Sequence, residues 1–245
     1  MPADPADPSD PSDPSDPADP ADLVSPTLDA VQTLAGRRLD YRRDGLMEQD
    51  AGNDPYALFA KWFADASQAQ AGSPEEPHAM SLATVDREGI PSIRTVLLKG
   101  FNDDGFVWFT NYESRKGSEL LARGVAALNF RWGVLERQVS VRGTVSRTTD
   151  DESNAYFASR PAGSQIGAIV SPQSRVIANR SVLEDAAATL ASGPASAIVR
   201  PAYWGGFRLV ATEIEFWQGR SSRLHDRIRF CLLPDGGWVR ERLGP

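Results

Sequence analysis

Ala79-Met80-Ser81-Leu82-Ala83-Thr84-Val85, then Asp86-Arg87-Glu88-Gly89, then Ser92-Ile93-Arg94-Thr95-Val96-Leu97-Leu98, is the stretch that decides the fold. Two β-rich runs joined by a short polar turn ending in glycine mark an antiparallel pair. The pattern repeats, with Asn102-Asp103-Asp104-Gly105 leading into a third run from Phe106 to Thr110. Further strands are expected over Ala126 to Trp132, Arg137 to Arg147, Phe207 to Trp217 and Ile228 to Leu233, and a last one from Trp238 after the turn Pro234-Asp235-Gly236-Gly237. Strands outnumber helices and mostly follow one another through tight turns. The expected class is therefore mainly β with peripheral α-helices, an antiparallel barrel and not a Rossmann sheet.

The helices announce themselves by their caps. Asp54 is a candidate N-cap, Pro55 suits the first helical position, and Leu58, Phe59, Trp62, Phe63 and Ala66 form an apolar stripe. Ser114 to Arg123 reads as a short helix. Thr149-Asp150-Asp151-Glu152 and Ser181-Val182-Leu183-Glu184 both read as capping boxes. The first of these helices should end near Ser159-Arg160, because Pro161 follows. Ala162 to Asn179 reads as a long polar linker, of the kind that is either functional or disordered.

The chain has 245 residues, and its first 22 differ in kind from the rest, repeating Ala/Ser-Asp-Pro from Pro2 to Pro20. Proline at every third position removes backbone donors, so this segment is expected to be a disordered acidic tail, with the folded domain over 23–245. Seven of the 33 acidic residues lie in it, leaving 26 against 26 Lys and Arg. The body is thus near neutral, which speaks against a general nucleic-acid-binding surface. A secretory signal and a membrane span are not expected, since no basic-then-apolar leader and no long uncharged apolar run is present. Cys231 is the only cysteine, so an intrachain disulfide is impossible, and with only His78 and His225 beside it a zinc site is not expected. The expected setting is soluble, reducing and cytoplasmic.

No glycine-rich phosphate loop occurs, so a phosphate must be held by side chains. Arg94, Lys99 and the pair Arg115-Lys116 are candidates, the last at a helix start where amide donors are free. Ordinary surface positions remain an alternative for that pair. Strict alternation puts Arg94 and Lys99 on opposite faces, so they serve one ligand only if the strand ends or bulges near Lys99. Tyr156 and Arg160 are spaced i, i+4 and Ser164 follows, a set that suits a phosphate ester or, equally, an arginine laid over a ring. Trp217 and Gln138 are as compatible with core and surface as with a site. Arg223-Leu224-His225-Asp226-Arg227, read as an extended run, would point Arg223, His225 and Arg227 one way, an anion-recognising face or a solvated basic one.

Five segments taken in order, Arg94 to Lys99, Asn111 to Lys116, Leu135 to Val139, Ser159 to Ser174 and Glu213 to Arg227, resemble the pyridoxamine 5′-phosphate oxidase family, whose fold is the FMN-binding split β-barrel. The resemblance runs from about Arg38 to Pro245. It implies an FMN site formed by Arg94, Thr95, Val96, Leu97, Leu98, Lys99, Phe109, Thr110, Arg115 and Lys116, completed by Gln138, Gln173, Ser174, Trp217 and Arg227. It implies a substrate phosphate held by Lys99, Tyr156, Arg160 and Ser164, with Arg223, Leu224 and His225 at the pyridine ring and Arg38 with Tyr41 as a lid. Arg223 and His225 would be the catalytic pair. The implied assembly is a homodimer with flavin at the interface. The implied reaction oxidises pyridoxamine or pyridoxine phosphate to pyridoxal phosphate, with dioxygen as acceptor. Phe109 stands where the family often has Tyr, and Arg242-Leu243-Gly244-Pro245 where Arg-Leu-Ala-Pro is common. Rival readings are another split-barrel flavin or deazaflavin reductase, and a non-catalytic flavin or pyridoxal phosphate binder.

Overall fold

In the computed structural model, whose described residues are 40, 41, 43, 45–72 and 75–245, the chain follows the strand order that its turns announce. Contacts divide it into Met1–Asp40, of which only Asp40 is described, and Tyr41–Pro245, the unit treated below. The Asp/Pro-rich tail and Arg38 lie outside the described residues.

A helical turn, α1 (Glu48–Ala51), precedes α2 (Pro55–Ala69), which Asp54 caps by accepting the amides of Tyr56 and Ala57. The strands β1 (Ala79–Val85), β2 (Pro91–Leu97), β3 (Gly100–Asn102) and β4 (Gly105–Asn111) follow. Then come α3 (Arg115–Arg123), β5 (Val125–Trp132), β6 (Arg137–Arg147), α4 (Asp150–Ser159), α5 (Ala162–Val170) and α6 (Ser181–Ser192). The chain closes with β7 (Trp204–Gln218), β8 (Asp226–Leu232) and β9 (Trp238–Leu243).

All strand pairs are antiparallel, in the order β2-β1-β5-β6-β7-β4-β3, with β8 on β7 and β9 on β8. The two ends of that order, β2 and β3, are joined in the chain by Leu98 and Lys99: the Leu98 amide donates to the His78 carbonyl beside β1, and the Lys99 amide to the Val107 carbonyl of β4, both at 2.8 Å. Lys99 therefore sits on the seam of the barrel. The long strand β7 changes partner along its length: Trp204 to Leu209 pair with β4, while Glu213 to Gln218 pair with β8. The core lies between the sheet and α2, where Phe59 and Trp62 pack with Phe106, Phe130, Trp132 and Phe216. A second cluster, Phe157, Ala168 and Trp204, holds α4 and α5 against the start of β7.

Four sequence expectations need correction. The stretch from Ala162 is a helix as far as Val170, because Pro161 ends α4 and then starts α5, its carbonyl accepting the Ser164 and Gln165 amides. Ile166 and Ala168 are buried, a pair two residues apart that gives no helical spacing to read in the sequence. Ser181 does not form a capping box: it is the first helical residue, Asn179 Oδ1 accepts from its hydroxyl and from the Val182 amide, and Glu184 turns to Arg180. Arg160 lies outside the helix with extended backbone, so its relation to Tyr156 is not that of one helix face. Finally, Arg223, His225 and Arg227 do not share a strand face. Ser221–Arg223 is a 3-10 turn, and β8 begins only at Asp226.

Candidate functional site

The seam at Lys99 opens into a cleft of about 470 Å³. Its walls come from the end of β2 (Thr95, Val96, Leu97), from β4 (Phe109, Thr110), and from Lys116, Tyr156, Arg160, Ser164, Gln173 and Trp204. The strand ends at Leu97, and so residues of both faces reach one cleft. Leu98 turns into the core instead, 5% exposed. The loop at Pro161 carries Arg160 and Ser164 to the same opening from two helices.

One wall is an aromatic stack. The Phe109 and Tyr156 rings lie 4.0 Å apart at 19°, and Trp204 is nearly parallel to both. Phe109 can lie against β7 because Gly206 lacks a side chain, where a Cβ would come within 2.8 Å of the ring. The Arg160 guanidinium covers Trp204 at 4.8 Å, and its Nη1 is buried without a hydrogen-bond partner. Burial lowers the Arg160 pKa and raises that of Tyr156. A desolvated cation with an unused donor is costly unless an anion meets it.

The cleft is lined by a second half-buried cation, Lys116. Lys116 Nζ donates to Thr110 Oγ1, Ser114 Oγ and Gln173 Oε1 at 3.0, 3.1 and 3.2 Å, all neutral acceptors. Burial first, and the Arg94 charge second, bring its pKa down to about 8. Its helix neighbour behaves differently. Arg115 Nε donates to Glu119 Oε1 at 2.9 Å, and its amide to Ser174 Oγ at 3.1 Å. Arg94 likewise turns to the buried Glu119, as do Thr84 and Ser92. Burial raises the Glu119 pKa, but bonds from Ser92, Thr84 and Arg115 and the Arg94 charge outweigh this and leave it at about 2. Arg94 and Arg115 thus have their charge partly answered, while Lys116 meets no carboxylate among the described residues.

The remaining candidates gather at the far end of β7. Trp217 and His225 rings are 4.6 Å apart, and Tyr41 meets both edge-on at 5.8 and 5.7 Å. The Arg220 amide donates to His225 Nδ1 at 3.1 Å, so in the neutral ring the proton sits on Nε2, the outward donor. Arg223 is exposed, and both it and Ser222 hold positive φ, 61° and 56°. Two non-glycine residues in that region cost on the order of 1 kcal/mol or more each, a strain characteristic of functional turns. Leu224 is exposed beside it. Arg227 grips Glu215 with Nε and Nη2 at 2.7 and 3.0 Å, and Gln138 is the register partner of Trp217 on β6.

Trp204 lines the cleft and Trp217 belongs to the second group, and both lie on β7. At about 3.3 Å per residue, the strand path between them is roughly 40 Å. Sequence reasoning missed Trp204, Glu119 and Arg220. The i, i+4 spacing of Arg115 and Glu119 was a readable signal for one of them.

Comparison with known proteins bears on the same two ends. A family model described as pyridoxamine 5′-phosphate oxidase matches residues 66–192, and one described as the pyridoxine 5′-phosphate oxidase C-terminal dimerisation region matches 204–245. The chain is 53% identical over 219 residues to the pyridoxine/pyridoxamine 5′-phosphate oxidase of Azotobacter vinelandii, covering 87% of this chain and 99% of that one. It is 53% identical over 212 residues to the protein of that name from Cupriavidus taiwanensis, covering 86% and 99%. Among solved structures, PhzG from Burkholderia lata 383 in complex with tetrahydrophenazine-1-carboxylic acid superposes with TM-score 0.73 at 28% identity, over 82% of this chain and 98% of that one. A pyridoxamine 5′-phosphate oxidase-related, FMN-binding protein from Nostoc punctiforme shares the fold, with TM-score 0.62 at 16% identity over 76% and 97%.

Proposed function

The chain belongs to the pyridoxamine 5′-phosphate oxidase family, and from that premise we propose that it oxidises pyridoxamine 5′-phosphate and pyridoxine 5′-phosphate to pyridoxal 5′-phosphate. Dioxygen is reduced to hydrogen peroxide, and the amine substrate also takes up water and releases ammonia. FMN is the cofactor and the working unit is a homodimer. The cytoplasm is its proposed location. The observation that carries the reading is one cleft lined by two cations, Lys116 and Arg160, that share no hydrogen-bond partner and meet no carboxylate among the described residues. Two phosphorylated ligands account for both.

The residues present fit FMN. Lys116, half-buried with only neutral partners and its pKa drawn down to about 8, is short of an anion that the flavin phosphate would supply. Thr110 and Gln173 would share that phosphate, with Arg115 and Arg94 held beside it by Glu119. Bound FMN supplies a two-electron acceptor for the hydride leaving the substrate C4′ and passes the pair to dioxygen.

The protein's own part is to hold and orient. Arg160, Tyr156, Ser164 and Lys99 would grip the substrate phosphate, Arg160 with a donor already stripped of water. The other group, Tyr41, Trp217, Arg223 and His225, lies a strand length away, and so the partner protomer is the natural source of it for any one cleft. His225 would donate from Nε2 to an oxygen on the pyridine ring, its orientation fixed by the Arg220 amide at Nδ1. Arg223 would place positive charge near the ring as C4′ is oxidised. Gln138, Ser174 and Arg227 are proposed to complete the flavin surroundings.

The test is an absorption spectrum of the purified protein followed by anaerobic addition of pyridoxine phosphate. Bound flavin should bleach and return on admission of air. A protein without flavin, or a flavin that the ester leaves oxidised, would refute the proposal.

A further inference from the structure

Asp226 fastens the chain segment that carries Tyr41, and we propose that it is a positioning residue for substrate binding, acting through Tyr41 without touching the substrate. The inference rests on the reading of Tyr41 as a cover over the substrate ring.

Tyr41, Arg43, Gly45 and Leu46, the described residues of this segment, belong to no helix or strand, so their placement depends on what holds them. Asp226 Oδ2 accepts the Leu46 amide at 3.1 Å, and Oδ1 accepts Arg242 Nη1 at 2.7 Å. Arg242 Nη2 returns to the Leu46 carbonyl at 2.9 Å. One carboxylate and its ion-pair partner thus satisfy both backbone groups of a residue in the adjoining segment, as a neighbouring strand would. Arg220 lies on the other side of Asp226, with Nε at 3.6 Å from Oδ2, and its Nη1 donates to the Arg43 carbonyl at 3.1 Å. Glu48 completes the set of charges, bound by Arg242 at 2.6 and 2.9 Å. The fastening ends two residues short of Tyr41, whose ring then lies edge-on to Trp217 and His225. Gly219 leaves room for it: a Cβ there would sit 2.8 Å from Tyr41 Cγ.

The site residues and the fastening share the same few positions. Arg220 orients His225 with its amide and the segment with its side chain, while Asp226 follows His225 directly. Losing the carboxylate should therefore release Tyr41 while leaving FMN and the phosphate grip untouched. A second route to the same end keeps every charge. In Gly45→Ala the new Cβ would fall 3.0 Å from Asp226 Oδ2 and 3.1 Å from Arg220 Nη1, so these two groups must give by a few tenths of an ångström, which loosens their hold on the segment.

The experiment uses steady-state kinetics of the FMN-loaded dimer with pyridoxine phosphate for Asp226→Asn, Gly45→Ala, Tyr41→Ala and the Tyr41→Ala/Asp226→Asn double variant. Asp226→Asn and Gly45→Ala should each raise KM by about 5- to 20-fold with kcat within about twofold, and flavin absorbance should be retained. In the Tyr41→Ala background, Asp226→Asn should raise KM no further, since contacts that act through one residue are not additive. Equal rises of KM in both backgrounds, or a fall in Tm with KM unchanged, would make Asp226 a structural residue only and overturn the proposal. If Tyr41→Ala itself leaves KM unchanged, the cover reading fails and the proposal falls with it, an outcome distinct from the other two. Should Asp226→Asn fail to fold, Gly45→Ala carries the same comparison.

Discussion

Replacing Arg160 by alanine is the sharpest probe of how the cleft recognises its substrate. The guanidinium is already desolvated, with Nη1 buried and unpartnered and the Trp204 ring beneath it at 4.8 Å. An anion arriving there forms a charge-assisted hydrogen bond without first stripping water from the donor. Such a bond contributes roughly 1.5–3 kcal/mol, about a 10- to 150-fold change in kcat/KM for the phosphorylated substrate. Free pyridoxine lacks the phosphate and should lose much less, so the preference for the ester should shrink by nearly the whole factor. Arg160→Lys should recover only part, because one ammonium cannot reproduce the planar two-pronged contact or the stacking on Trp204. FMN affinity should stay constant, since Lys116 is held by Thr110, Ser114 and Gln173 and shares no hydrogen-bond partner with Arg160. The assay is kcat/KM for both substrates with flavin content measured alongside. Equal losses for ester and alcohol, or a colourless variant, would refute the phosphate role and make Arg160 a packing residue of the Phe157–Trp204 cluster.

Two further outcomes follow from the same geometry. Lys116 in the flavin-free chain has a pKa near 8, and binding a phosphate raises it, so FMN affinity should be full below about pH 8 and fall as pH rises beyond it; titration of Kd against pH should show this, and Lys116→Arg should flatten the profile. Co-expression of Arg160→Ala and His225→Ala chains should yield about one quarter of wild-type sites, because half of the dimers are mixed and each mixed dimer keeps one intact site; no activity above that of the separate variants would mean that one chain supplies both groups.

The strands were readable because their turns are chemical, not statistical. Asp86 accepts the amides of Glu88 and Ile90, closing the first hairpin as the Asp-Arg-Glu-Gly run suggests. The three-residue strand β3 escaped notice because it is defined only by its pairing with β4 across the Asn102–Gly105 turn. The helix α5 escaped for a different reason: polar and glycine residues interrupt its apolar positions, and its burial is against Phe157 of the preceding helix and against Trp204, far off in sequence. Among the site residues, Tyr156, Arg160 and Ser164 do line one cleft, yet through a proline-broken pair of helices and not one helix face. Arg94, Arg115 and Lys116 could not be told apart from residue type. Only the turning of Glu119, on α3, toward Arg94 of β2 and Arg115 of its own helix decides that two of these cations are partly answered and the third is not.

The same reasoning explains why this fold needs two copies of itself. A cleft built where β2 ends and β4 meets the start of β7 gathers the groups proposed to bind phosphate, Lys99, Lys116, Tyr156, Arg160 and Ser164 among its lining. The aromatic and imidazole groups that would face a substrate ring are fixed near the other end of the same strand, where β7 has exchanged β4 for β8. No rotation of side chains spans roughly 40 Å of strand, and the strand cannot fold back without losing its ladder to β6. In the proposed site, a second chain related by a two-fold axis would present its ring-facing end to the first chain's cleft and receive the same in return, so that one self-complementary contact would complete both sites. On the proposed reading the C-terminal region from residue 204, which matches a dimerisation region, would also supply half of each active site, and its polar residues already hold the His225 ring and the Leu46 backbone in place.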